Sequence, residues 1–154
     1  MIVPFYDQSQ KYIIGVSGRS TNGYLPKWRN NDEFNRRENL YNWWNAQERI
    51  KESKVVFLTE SITDAIKLID CGINNVLAFM GANISDEQLI KIECSSAENL
   101  IILRHDDEAG KLFVKNIQGK CGRLYNIKVP DISKKDIAEL SNSQVLTLLE
   151  KYDG

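Results

Sequence analysis

The chain has 154 residues, a formal net charge of −1, 42% hydrophobic and 27% charged residues, so it can bury one core and is neither a polycation nor a disordered tail. No apolar run is long enough to span a bilayer, and the opening Met1-Ile2-Val3-Pro4-Phe5-Tyr6-Asp7 lacks the basic-then-apolar build of a secretion signal, which leads us to expect a cytoplasmic protein with no membrane partner. Three scattered cysteines (Cys71, Cys94 and Cys121), with no Cys-x-x-Cys pair, argue against a disulfide framework and against structural zinc, and are expected to be reduced and buried.

In chain order, Lys11–Gly18 reads as a strand with glycine punctuation, and Arg19–Phe34 as a turn-rich stretch centred on Asn22-Gly23. Glu38–Ser53 carries helical spacing in Leu40, Trp43, Trp44, Gln47 and Ile50. Lys54–Leu58 is a short buried strand, and Ile62, Ala65, Ile66 and Ile69 mark a helix that stops at Gly72. Asn75–Met80 is the next strand, ending at Gly81, and Ser85-Asp86-Glu87-Gln88 is a capping box that opens a helix. Asn99–Leu103 is a strand, Ala109, Leu112, Phe113 and Ile117 follow at helical spacing, and Leu124–Val129 is a further strand. Two short helices close the chain, opened by Ser133-Lys134-Lys135-Asp136 and Ser141-Asn142-Ser143-Gln144. From residue 54 onward strands alternate with helices, which predicts an α/β fold: a mainly parallel, Rossmann-like central sheet flanked by helices, behind a small basic N-terminal extension.

Charge is distributed unevenly. Residues 1–37 hold six bases against three acids, a net of +3, and the remaining fourteen bases and eighteen acids leave −4. A basic segment beside an acidic body fits a polyanion groove next to a cation site, or simply a solvated surface. Chemistry in a parallel sheet collects where strands end and helices begin. Val55–Thr59 runs into Glu60, and Ile101–Leu103 runs into Arg104-His105-Asp106-Asp107-Glu108. Two carboxylate-bearing strand ends suggest a hard-cation site and phosphate chemistry, although acids at helix starts are also favoured by the helix dipole. His105 is the sole histidine. Asp64 and Asp136 each stand three residues after a serine, so capping is the leading explanation for both. Trp28 among its basic neighbours is the better candidate for stacking a base, because Trp43 and Trp44 lie in a helical pattern that places at least one of them in the core.

A strand ending in Glu, a strand–Gly turn, and a strand ending in acids before Ala-Gly together resemble the Toprim family of primases, topoisomerases and nucleases. The segments that carry the resemblance are Leu58–Ile66, Phe79–Ser85 and His105–Gly110. Upstream, Pro4-Phe5, Ile14–Arg19, Pro26–Asn30, Leu40-Tyr41 and Ala46 follow the order found in the RNA polymerase core of bacterial-type DNA primases. Downstream, Lys135–Leu140 resembles the short Lys-Asp segment after it. The resemblance implies residues 1–53 as a primase-core-like extension and 54–154 as the Toprim domain. It implies a weakly held Mg²⁺ or Mn²⁺ on Glu60 and Asp107, the catalytic pair, with Asp106 or His105 supporting. Asp64, Gly81, Gly110 and Asp136 would support the site, and Arg19, Lys27, Trp28, Arg29 and Arg36 would contact nucleic acid. Single-stranded DNA or an RNA–DNA hybrid, nucleoside triphosphates and a replication protein are the expected partners.

Three positions depart from the pattern. His105 stands where the family has the first of two aspartates, Ser61 replaces a common Gly, and Ala82 a common Thr. An imidazole among oxygen ligands should weaken Mg²⁺ and tolerate Mn²⁺ better. With the zinc module and the helicase-binding tail not matched, the pattern implies a minimal or degenerate primase core of the kind a phage or mobile element carries. The activities to weigh are primer synthesis or a remnant of it, a non-catalytic module that binds or inhibits a replication or defence partner, and a Toprim nuclease.

Overall fold

The computed structural model describes residues 1–23, 25–132 and 136–152. In chain order the elements are β1 (Ile2–Tyr6), β2 (Ile13–Arg19), β3 (Trp28–Asn30), a 3-10 turn (Arg36–Glu38), α1 (Trp43–Ser53), β4 (Val55–Thr59), α2 (Ile62–Asp70), β5 (Val76–Ala78), α3 (Asp86–Cys94), β6 (Asn99–Leu103), α4 (Glu108–Cys121), β7 (Asn126–Lys128), a second 3-10 turn (Ile137–Glu139) and α5 (Asn142–Leu149).

The parallel sheet has the order β5-β4-β6-β7. Its central strand β4 is buried along its whole length, which is why Val55–Leu58 reads as an unbroken apolar run, ending at a buried Thr59. Side chains alternate across the sheet. Val55 and Phe57 pack with Ala65 and Leu68 of α2 and Val145 and Leu149 of α5. Val56 and Leu58 pack on the other face with Ile50 of α1, Ile92 of α3 and Phe113 and Ile117 of α4. The expected α/β architecture, a parallel sheet with helices on both faces, is the one observed.

The N-terminal part is a three-stranded antiparallel sheet, β1-β2-β3. Val3, Phe5 and Phe34 belong to the same apolar cluster as Val55 and Phe57. Phe5 lies 4.4 Å from the Phe34 ring and meets Tyr41 edge-on at 5.8 Å. The opposite face leaves Ile2, Tyr6 and Ile14 exposed.

Several boundaries differ from the sequence expectation, each for a local reason. β1 has no counterpart in that expectation, and β3 falls in the stretch read as turns; β1 is a short edge strand that alternates Val3 and Phe5 into the core, and β3 is three residues held by pairing with β2. The helix expected from Glu38 starts only at Trp43. The chain first makes the 3-10 turn, then bridges Tyr41 to Ala78, then passes through a left-handed Asn42 (φ 65°). β5 stops at Ala78 because Met80 (φ 62°) and Gly81 (φ 143°) turn the chain, and β7 is limited to Asn126–Lys128. The capping boxes at Ser85/Gln88 and Ser141/Gln144 form as expected. Ser133–Lys135 lie outside the described residues, and Asp136 leads into a 3-10 turn rather than a helix. Of the cysteines, Cys121 is buried and Cys71 half-buried, but Cys94 is exposed, on the last residue of an amphipathic helix. Among the described residues no helix is long and apolar enough to cross a membrane.

Candidate functional site

Thr59 and Leu103 are register partners in adjacent parallel strands, so Glu60 and the His105–Asp107 segment leave the sheet at the same edge. There Glu60, His105 and Asp107 line a cavity of about 660 Å³, together with Asp64, Asp136 and Gly81. The N-terminal sheet and the first 3-10 turn supply Arg19, Lys27, Trp28 and Arg36 to the same cavity. The fold thus brings the acidic strand ends and the basic segment, well separated in sequence, into one concavity.

The acidic part is not a set of equivalent ligands. Asp64 is only 2% exposed, and both its oxygens are engaged. Oδ2 lies 2.6 Å from His105 Nε2, and Oδ1 accepts the Ala138 N–H at 3.1 Å. It is therefore not the capping acid its spacing from Ser61 suggests; Ser61 caps α2 alone, through the Thr63 N–H. His105 Nε2 also stands 3.9 Å from Asp136 Oδ1. The hydrogen bond to Asp64, opposed by burial and reinforced by the Asp64, Asp136 and Glu60 charges, pushes the imidazole up to about 9, which favours its charged form. Asp136 precedes its 3-10 turn without capping it through its side chain.

Asp107 caps α4, accepting the Gly110 N–H at 2.7 Å. Gly110 is required by close approach: a Cβ there would stand 2.1 Å from the carbonyl oxygen of His105. Asp106 is exposed, pairs with Arg104 at 3.2 Å, and is not among the residues lining the cavity. Glu60 is half-buried, and its Oε2 is fully buried with no hydrogen-bond partner among the described residues. Burial pushes its pKa up, as do the neighbouring Asp107, Asp64 and Asp136 charges, while His105 pulls it down. An orphaned carboxylate oxygen beside Asp107 suits a hard cation, which would satisfy it. Among the described residues, however, no group of three or more His, Cys, Asp or Glu side chains is arranged to hold a metal ion.

On the basic side, Arg19 Nη1 donates to Thr63 Oγ1 at 3.0 Å, and its guanidinium lies 5.6 Å from the centre of the Trp28 ring. Arg36 Nη1 donates to the Met80 carbonyl at 3.2 Å, beside Gly81. β3 alternates: Trp28 and Asn30 line the cavity, whereas Arg29 lines a depression on the other face with Ile2 and Gly18. Trp43 and Trp44 are half-buried, with Lys91 over both rings at 5.3 and 5.9 Å; Trp43 packs on the core, and neither lines the cavity. Ser17 and Thr63 also line the cavity, and sequence reasoning misses both. A buried serine in an otherwise apolar strand and a hydroxyl in the first turn after Glu60 are the available signals.

The Toprim-like family model matches residues 57–141, more than half of the chain, and the chain belongs to that family. It is 35% identical over 105 residues to a DNA primase of Staphylococcus aureus (strain COL), a match that covers 66% of this chain and 17% of the relative. The zinc-binding and RNA polymerase domains of the Aquifex aeolicus primase superpose with a TM-score of 0.80 at 24% identity, over 97% of this chain and 39% of that one. A DnaG primase catalytic domain bound to single-stranded DNA superposes with a TM-score of 0.74 at 20% identity, over 97% and 50%. The fold is thus that of a primase Toprim domain with the strands ahead of it, and the chain spans under a fifth of the length of the curated relative.

Proposed function

We propose that this chain is a primase-type Toprim protein that engages a polynucleotide, or a nucleotide, in its charged cavity during DNA replication. The observation that carries this is the meeting of Arg19, Lys27, Trp28 and Arg36 with Glu60 and Asp107 in one concavity. Arg19, Lys27 and Arg36 would contact phosphates, and Trp28 would offer a ring face to a base. Glu60 and Asp107 would hold a divalent cation, which supplies charge neutralisation at the reacting phosphate. In support, a related primase domain binds single-stranded DNA, as its structure states. The test is anisotropy of labelled single-stranded DNA over a salt series. The triple variant Arg19→Ala/Lys27→Ala/Arg36→Ala is expected to lose about tenfold or more in affinity and about two to three units of salt slope. Unchanged binding would dismiss the cavity as the site.

A second reading, a non-catalytic module that keeps the binding surface, is favoured by one observation: the His105 imidazole, held 2.6 Å from the Asp64 carboxylate, stands inside the acidic cluster. A template-dependent primer assay with Mg²⁺ and with Mn²⁺ separates the two. Sustained primer synthesis by the unmodified chain excludes the second reading.

A further inference from the structure

The 3-10 turn that carries Arg36 has no buried side chain of its own; Phe34 and Leu40 anchor its flanks in the core, and the carbonyls of the turn itself need a further partner. Gln88 on α3 is that partner. It is 1% exposed, and its amide nitrogen lies 3.0 Å from the Arg36 carbonyl, 2.9 Å from that of Asn39 and 3.2 Å from that of Phe79. Its oxygen accepts the Ser85 N–H at 3.2 Å, completing the capping box, while the Ser85 hydroxyl donates to the Arg37 carbonyl. A capping box needs only that oxygen, and Glu serves there as well as Gln. The amide nitrogen is spent entirely on carbonyls at both ends of the turn and at the end of the strand region before Met80. Arg36 then closes the circuit by donating to Met80.

We propose that Gln88 is the positioning residue of the cationic wall: by tying the Arg36–Asn39 carbonyls to that of Phe79 it sets where Arg36 stands in the cavity. The proposal rests on the polynucleotide reading for its functional consequence and on geometry alone for the placement.

Gln88→Glu keeps the capping oxygen and replaces the donor with an oxygen facing three carbonyls; Gln88→Met removes the donor without adding charge. Backbone ¹⁵N order parameters of Arg36–Asn39 are expected to fall from the rigid range of about 0.85 towards 0.6 in both, while those of α5 stay unchanged. Affinity for single-stranded DNA is expected to fall about as far as in Arg36→Ala, roughly three- to tenfold, with no further loss when the two changes are combined. Unchanged order parameters would overturn the proposal, as would a mobile turn with unchanged affinity when Arg36→Ala does weaken binding. If Arg36→Ala is itself silent, the polynucleotide reading fails at that residue, and the order parameters alone decide whether Gln88 places it. If Gln88→Glu does not fold, Gln88→Met decides by the same measurements.

Discussion

His105 occupies a position where the family resemblance calls for a carboxylate, and the structure shows what it does there. Its ring pairs with the buried Asp64, and that hydrogen bond favours the charged imidazole beside Glu60 and Asp136. Because its folded pKa lies above the usual histidine value of about 6.5, its stabilising contribution is fully present below pH 6.5 and is lost as pH rises through about 9. Urea unfolding at pH 6 and pH 9.5 should differ by roughly 2–4 kcal/mol from this group, a difference that His105→Gln should largely abolish. His105→Asp sets a carboxylate against Asp64. Without added metal it should melt at lower temperature than the parent, and Mg²⁺ should raise its melting temperature more than the parent's, as read by calorimetry. Equal Mg²⁺ shifts in the two proteins would place residue 105 outside any cation site.

At the scale of elements, the β6–α4 junction is a tight fit around Gly110. Gly110→Ala drives a methyl into the His105 carbonyl, and the backbone rather than a side chain must yield. We expect a loss on the order of 2 kcal/mol or more in unfolding free energy, together with a displaced His105 imidazole resonance. β3 makes a contrasting prediction. Since Arg29 faces away from Trp28, Arg29→Ala should leave single-stranded DNA binding within about twofold of the parent, whereas Lys27→Ala should weaken it. The same contrast shows how far the sequence is legible. β4 and β6 stand out in it because burial on both faces makes Val55–Leu58 and Leu100–Leu103 unbroken apolar runs, which polar and charged residues at the sheet edge stop abruptly. β3 does not, because three residues of an edge strand carry no period, and without a strand nothing separates Arg29 from Trp28. Asp64 misleads for a different reason: its spacing from Ser61 imitates a local cap, while its real partners are distant in sequence. Gln88 is legible as half of a capping box, but its second function needs the 3-10 turn folded against it.

At the scale of the whole molecule, the site is a junction between two sheets, one basic and antiparallel, the other parallel with acidic strand ends. Neither the +3 segment nor the −4 remainder makes the cavity alone. Its assembly also has an order imposed by chain position. The buried carboxylate of Asp64 is satisfied by a ring 41 residues later and by a backbone N–H 74 residues later. On a chain emerging from the ribosome, α2 is made well before either partner exists. Until residue 138 has docked, the nascent protein must keep that oxygen hydrated, so the segment around Asp64 cannot seal. Asp64 on the cavity wall therefore gains its second partner only when the chain has run on to Ala138, and a product terminated before that residue would lack it.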